Sequence, residues 1–196
     1  MNPFTQSITL AGSHATLEPL AQRHYDDLIE ATRDGELWKL WYTSVPSPEG
    51  MHSEIDRRLA LQHAGSMLPW AVRSQATGKV VGMTTYMNID ATYCRVEIGS
   101  TWYAQSAQRT RVNTECKRML LTYAFESLAC IAVEFRTAFF NHASRRAIER
   151  LGAKQDGILR SHQLYPDGSL RDTVVYSIIA AEWPGVKRHL DFKLGR

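Results

Sequence analysis

The chain has 196 residues, 44% of them hydrophobic and 22% charged, with a formal net charge of +3. That length and mixture imply one compact domain, residues 1–196, able to bury a sizeable core. The charge is too small to call for nucleic acid, and no stretch approaches the ~20 apolar residues of a membrane span.

In chain order, "SITLAGSHATLEPL" alternates and stops at Pro19, which suits an early strand pair, and "AQRHYDDLIEATRDG" follows as a helix ending at Gly35. "ELWKLWYTSVPSPEG" reads as a short aromatic helix leading into a Pro-rich loop, with Trp38 in the core. "MHSEIDRRLALQHAG" is a further helix with Ile55, Leu59 and Leu61 near one face. "LPWAVRS" and "KVVGMTTYMNI" are strands joined by the turn "QATGK", and "YCRVEIGSTWY" is another, with Val96 and Ile98 alternating against Arg95 and Glu97. A helix runs from about Arg111 to Leu128, with Val112, Cys116, Met119, Leu120 and Tyr123 on one face. Then come the strand "IAVEFRTAF" and the helix "NHASRRAIERLGA", with Asn141 as N-cap and Gly152 just past its C-terminus. "ILRSHQLY" and "LRDTVVYSIIA" form a hairpin around Pro166, Asp167 and Gly168, and "AEWPGVKRHLDFKL" is a terminal helix with Trp183 packed at its start. Antiparallel strands early, one strand–helix–strand unit in the middle and a hairpin late give an α/β (α+β) class: a single mixed, mostly antiparallel central sheet flanked by helices.

Cys94, Cys116 and Cys130 are widely spaced, with no CxxC pair and no metal-ligand spacing, so reduced core thiols and no metal are expected. The opening "MNPFTQSITLAGSH" lacks the basic region and apolar run of a signal peptide, and a cytoplasmic location is expected.

The chemistry concentrates in "SAQRTRVNTECKRML". Arg109 and Arg111 sit where a helix begins, at the positive end of its macrodipole and beside unpaired N–H groups, a position that costs each cation roughly 0.3–1 kcal/mol. Opposite a phosphate the same arginines would each gain roughly 1.5–3 kcal/mol from charge-assisted hydrogen bonds. The alternative is that both extend into water and contribute little.

The segment resembles the acyl-CoA pyrophosphate loop of the GNAT N-acetyltransferases, whose usual pattern is Gln/Arg-x-x-Gly-x-Gly/Ala. Gln108 takes the first place, while Arg111 and Asn113 stand where small residues are usual. Thr114 and Glu115 match a Thr-Glu-Ala run of the ribosomal-protein-alanine branch, with Cys116 for the alanine. Downstream, "NHASRRAIERLG" supplies Asn141, Ser144 and Gly152 at family offsets, but Ile148 occupies the place of a frequent tyrosine.

The resemblance implies the GNAT-like acyl-CoA N-acyltransferase fold and transfer of an acetyl group from acetyl-CoA to a primary amine, at a protein N-terminus or on a small molecule, by direct attack in a ternary complex. It implies that the sheet splays after the strand Arg95–Trp102, with Ser100, Thr101 and Trp102 nearest the cofactor. Gln108, Arg109, Thr110, Arg111, Val112, Asn113 and Thr114 would cradle the CoA phosphates, and Asn141 and Arg146 would add contacts from the next helix. Isoleucine cannot donate a proton, so Ser144, one turn earlier on the same face as Ile148, is the candidate acid. Glu97 and His162 are candidate bases; Gln163, where relatives often carry glutamate, cannot serve, and a water chain is the alternative. Glu97 could equally form a surface ion pair with Arg95 or Arg136. Trp41 and Tyr42 are candidate acceptor contacts. The partners implied are acetyl-CoA and an amine, with neither nucleic acid nor membrane; a homodimer is open. A non-catalytic acyl-CoA-binding or sensing module is the rival reading, and an RNA-associated factor using Arg109, Arg111, Lys117 and Arg118 is the weakest.

Overall fold

The computed structural model describes residues 3–196. Eight strands form one sheet: β1 (Leu10–Ala11), β2 (Ala15–Pro19), β3 (Leu68–Ser74), β4 (Val80–Asp90), β5 (Arg95–Tyr103), β6 (Ala132–Ala138), β7 (Lys154–Leu164) and β8 (Leu170–Ile179). Their order is β1-β2-β3-β4-β5-β6-β8-β7. Neighbours are antiparallel except β5 and β6, whose parallel pairing requires the crossover helix between them. The helices are α1 (Tyr25–Arg33), α2 (Met51–His63), α3 (Arg111–Thr122), α4 (His142–Glu149) and α5 (Trp183–Leu194). A π turn over Tyr123–Ser127 extends α3, so the expected helical stretch ends close to Leu128.

Successive side chains on a strand face opposite sides of a sheet. Arg58 of α2 meets Thr85, whereas Lys117 of α3 meets Thr84, which puts these helices on opposite faces. Between α3 and the sheet lie Trp70, Tyr86 and Leu120, all fully buried. Trp70 and Tyr86 meet edge to face at 5.0 Å, and the Tyr86 hydroxyl donates to the Leu120 carbonyl. Burying each such side chain contributes roughly 1.5–3 kcal/mol.

Local expectations hold where short-range chemistry decides them. The Asn141 side-chain oxygen accepts from the Ser144 N–H at 3.0 Å, capping α4, and Gly152 takes the left-handed φ of 101° that ends it. Others fail. Trp38 is only half-buried, in a short 3₁₀ turn where the Lys39 ammonium lies over its ring. On α2 the buried line is Met51, Ile55 and Arg58, with Leu61 half-exposed, because an arginine with partners inside displaces the expected leucine. Cys116 and Cys130 are buried free thiols, but Cys94 is half-exposed in the turn before β5. β7 starts at Lys154, earlier than the apolar run suggests, because pairing with β8 rather than burial defines it. Among the described residues, no helix is long and apolar enough to cross a membrane, and no cluster of three His, Cys, Asp or Glu could hold a metal ion.

Candidate functional site

Pairing of β5 with β6 covers only Arg95↔Ala132, Val96↔Val133 and Glu97↔Glu134. Beyond it β5 stays with β4 as far as Tyr103, and β6 stays with β8 as far as Ala138. The sheet therefore forks, leaving a cleft whose walls are the strand edges Ile98–Tyr103 and Phe135–Ala138.

Glu97 is the last paired residue before the fork and is 5% exposed. Its Oε2 accepts from Asn88 Nδ2 at 2.7 Å, and Arg136 Nε lies 3.6 Å away. Oε1 stands 2.9 Å from where a Cβ on Gly99 would be, so only a glycine there lets the carboxylate fold back along β5. Burial pushes its pKa above the ordinary carboxylate value, more strongly than Asn88 and Arg136 pull it down. The expected ion pair is present with Arg136 but is made by a buried acid rather than at the surface, and Arg95 pairs with Glu134 instead.

His162 does not join it. Its Nδ1 lies 3.1 Å from the Thr173 hydroxyl, and Thr173 is in register with Ala138, four residues along β6 from the partner of Glu97. At the rise of a strand that is ~13 Å.

The β5 wall carries a bulge. Met83 pairs with Trp102 and Thr85 with Gly99, so Ser100 and Thr101 share the place opposite Thr84, and Ser100 takes a left-handed φ of 46°. Arg58, 1% exposed, donates to the Ser100 carbonyl at 3.1 Å and the Thr85 hydroxyl at 2.6 Å from one face. From the other, Lys117 Nζ donates to Thr101 Oγ1 at 2.8 Å and Thr84 Oγ1 at 3.3 Å. The indole N–H of Trp102 is buried with no partner among the described residues.

After β5, Gln108 donates to the Tyr103 carbonyl at 3.0 Å, and Arg109 takes a left-handed φ of 60°. Thr110 is the N-cap of α3, its hydroxyl accepting from the Val112 N–H at 3.3 Å. The N–H groups of Arg111 and Asn113 have no carbonyl one turn earlier to bond. Arg109 and Arg111 are exposed, and Arg111 Nη2 reaches to within 4.0 Å of a Cβ built on Gly195, at the C-terminal end of α5. That is the negative end of a helix, where a cation is stabilised. The large side chain at the first small-residue place therefore points away from the helix start and leaves its backbone approachable. Asn113, at the second, keeps a buried side-chain oxygen with no partner. The free N–H groups suit a phosphate, and the Asn113 oxygen suits an N–H of a pantetheine arm.

Three residues of the loop sequence are structural. Val112 is in the core, and Thr114 Oγ1 accepts from Arg150 Nη2 at 3.3 Å, tying α4 to α3. Glu115, fully buried, accepts from the Ser13, His14 and Ala15 N–H groups at 3.0, 2.5 and 2.9 Å and from Arg196. The basic cluster read along the sequence dissolves, because Lys117 turns inward and Arg118 pairs with Asp191 at 2.8 Å.

On α4, Ser144 is half-buried with its hydroxyl unpartnered among the described residues, Ile148 is in the core, and Arg146 is exposed. At the far rim, Trp41 is 58% exposed although three rings meet it: Tyr42 at 5.6 Å, Phe140 at 5.6 Å and Tyr165 at 5.2 Å. Sequence reasoning found Trp41 and Tyr42 but missed Phe140, Tyr165, Arg58 and Lys117. The pair Phe139-Phe140 just before the Asn141 cap was the one local signal available.

The description "Acetyltransferase (GNAT) domain" matches residues 14–154. "Putative ribosomal N-acetyltransferase YdaF" of Bacillus subtilis (strain 168) is 36% identical over 110 residues, which cover 56% of this chain and 59% of that protein's length. A solved GCN5-related N-acetyltransferase from Brucella melitensis superposes with a TM-score of 0.86 at 29% identity, over 96% of this chain and 86% of that one. Mycobacterium smegmatis RimJ, solved in complex with CoA-disulfide, shares the fold, with a TM-score of 0.77 at 21% identity over 93% and 90%.

Proposed function

The chain belongs to the GNAT acetyltransferase family, and on that premise we propose that it transfers the acetyl group of acetyl-CoA to a primary amine by direct attack in a ternary complex. The observation that carries this reading is the fork after Glu97, which opens a strand edge toward a capped helix start. CoA phosphates lie against the first turn of α3 and Arg109, with Asn113 and Asn141 taking polar groups of the pantetheine arm. The name of YdaF favours the α-amine of a protein N-terminus as the acceptor.

An α-amine near pKa 8 is deprotonated in about one molecule in ten at neutral pH, a lysine side chain in about one in a thousand. Glu97 takes the proton, directly or through one water, and its raised pKa suits it to hold that proton briefly. The amine nitrogen bonds to the thioester carbon, and the carbonyl oxygen becomes negative against backbone N–H groups of the β5 bulge. As the carbon–sulfur bond breaks, the Ser144 hydroxyl donates a hydrogen bond to the leaving thiolate. Trp41, Tyr42, Phe140 and Tyr165 form the acceptor's apolar rim.

The test is calorimetry with acetyl-CoA, followed by a screen of N-terminal peptides, polyamines and amino-sugars read as CoA-thiol release. Micromolar acetyl-CoA binding with turnover on a peptide supports the reading. Tight binding with silence across the screen overturns catalysis in favour of an acyl-CoA sensing module.

A further inference from the structure

Lys117 has no part in the reaction described above, and its surroundings are unusual for a lysine. It is 6% exposed, forms no ion pair among the described residues, and gives its hydrogen bonds to two threonine hydroxyls. A methionine would fill the same volume without taking an ammonium out of water, which costs several kcal/mol in general. Burial alone lowers its pKa to about 7.

We propose that Lys117 is a positioning residue for acetyl transfer: through Thr101 and Thr84 it locks the β5 bulge so that the bulge's backbone N–H groups face the acetyl carbonyl. The inference rests on the acetyl-CoA reading above. An ammonium only donates, so both threonine oxygens must accept from it. The Thr84 and Thr101 oxygens lie 2.7 Å apart, and Thr101 Oγ1 lies 3.3 Å from the Gly99 carbonyl. With Lys117 donating to both, one threonine hydroxyl donates to the other; when Thr84 is that donor, the Thr101 hydrogen goes to Gly99, in a bond that spans the bulge across Ser100. The ammonium holds both threonine oxygens, and with them the two strands, from the buried end of the chain. Arg58 grips the Ser100 carbonyl from the opposite face, so the bulge is held on both sides just where β5 has no β6 neighbour. An unlocked bulge would let the strand slip to regular pairing and swing different N–H groups into the cleft.

The readout is affinity for CoA against acetyl-CoA, measured by calorimetry on the full chain, since only acetyl-CoA presents the carbonyl. Wild type is expected to prefer acetyl-CoA by roughly three- to tenfold, the worth of about one hydrogen bond. Lys117→Met should keep CoA affinity within about twofold of wild type and lose the preference. Thr84→Val, which removes one anchor at constant shape, should lose part of it and decides the matter if Lys117→Met does not fold. A variant that keeps the wild-type preference overturns the inference, as does one that weakens both ligands equally, the mark of a purely structural role. Wild type that binds both ligands without preference overturns it too. Wild type that binds neither overturns the acetyl-CoA reading itself, and this inference falls with it.

Discussion

Along β5 and α3 the charged groups are inside: Lys117, Arg58 and Glu115 are buried, and each is satisfied by backbone or hydroxyl groups, with Glu54 added for Arg58 and Arg196 for Glu115. On the opposite rim the large groups are outside. Phe140 is 55% exposed and Trp41 more so, on loops after β6 and α1, packed on one another, on their chain neighbours Phe139 and Tyr42, and, for Trp41, on Tyr165 at the tip of the β7–β8 hairpin. One side is over-determined by satisfied polar contacts; the other is three loops brought together by ring contacts. A ligand that is always the same calls for the first construction, whereas a variable acceptor is served by the second, because loops tolerate change.

If that contrast is right, the largest effect should come from unmaking the α3 side. Glu115→Ala leaves three backbone N–H groups and Arg196 without their acceptor, and urea unfolding should show a loss of about 3–5 kcal/mol. A change below about 1 kcal/mol would mean that this anchor is ornamental. Next comes the fork. Glu97→Gln should lower kcat by about a hundredfold or more on whichever amine the screen identifies. A base must be ionised to act, so the wild-type rate should rise with pH through an acid limb lying above the ordinary carboxylate range, and the variant should lack that limb.

The same contrast explains what could be read from the sequence. Element order, the Asn141 cap and the Gly152 stop follow from neighbours a few residues apart. The splay was implied by the family resemblance, and the structure's fork falls on that strand. Glu115 was visible only as part of a motif, because its partners are about a hundred residues away. Lys117 was read only as one of a basic cluster with Arg109, Arg111 and Arg118, because lysine usually carries its charge to water. Trp41 and Tyr42 were suggestive, but nothing local ties them to Phe140 and Tyr165, which only the folded chain brings together. Trp38 misled for the converse reason: aromatic spacing resembles a core, yet its 3₁₀ turn leaves it half-exposed.

Smaller effects sharpen the comparison. Lys117 has a folded pKa of about 7, below the 10.5 of an ordinary lysine. The unfolded chain therefore holds this proton more tightly, and wild-type stability should rise as pH increases from about 7 towards 10.5. Lys117→Met should be more stable than wild type at pH 7, with the advantage shrinking as pH rises through that window. Denaturant titrations at a series of pH values measure it, and a constant difference would contradict a depressed lysine. On the other rim, Trp41→Ala should raise the acceptor KM by about tenfold while leaving acetyl-CoA affinity and thermal stability nearly unchanged. Equal losses in both substrates would erase the distinction between the two sides.

The finest test separates the two arginines that begin the phosphate loop. Near each other in the sequence, Arg109 and Arg111 invite one explanation, yet only Arg111 has a place of its own against another helix end. Arg109 sits in the left-handed connection at the mouth of the helix start, exposed and unpaired among the described residues. Arg111 reaches across to the end of α5 near Gly195, where the helix dipole already favours a cation without any ligand. Arg109→Ala should weaken acetyl-CoA binding by roughly three- to tenfold, less so at high salt, as befits an exposed charge opposite a phosphate. Arg111→Ala should leave that affinity within about twofold and instead cost about 0.3–1 kcal/mol of stability, read by denaturant unfolding. The reverse outcome would mean that Arg111 swings back to the phosphates when the ligand arrives. The small-residue positions of the loop would then be occupied by a moving side chain rather than bypassed by a fixed one.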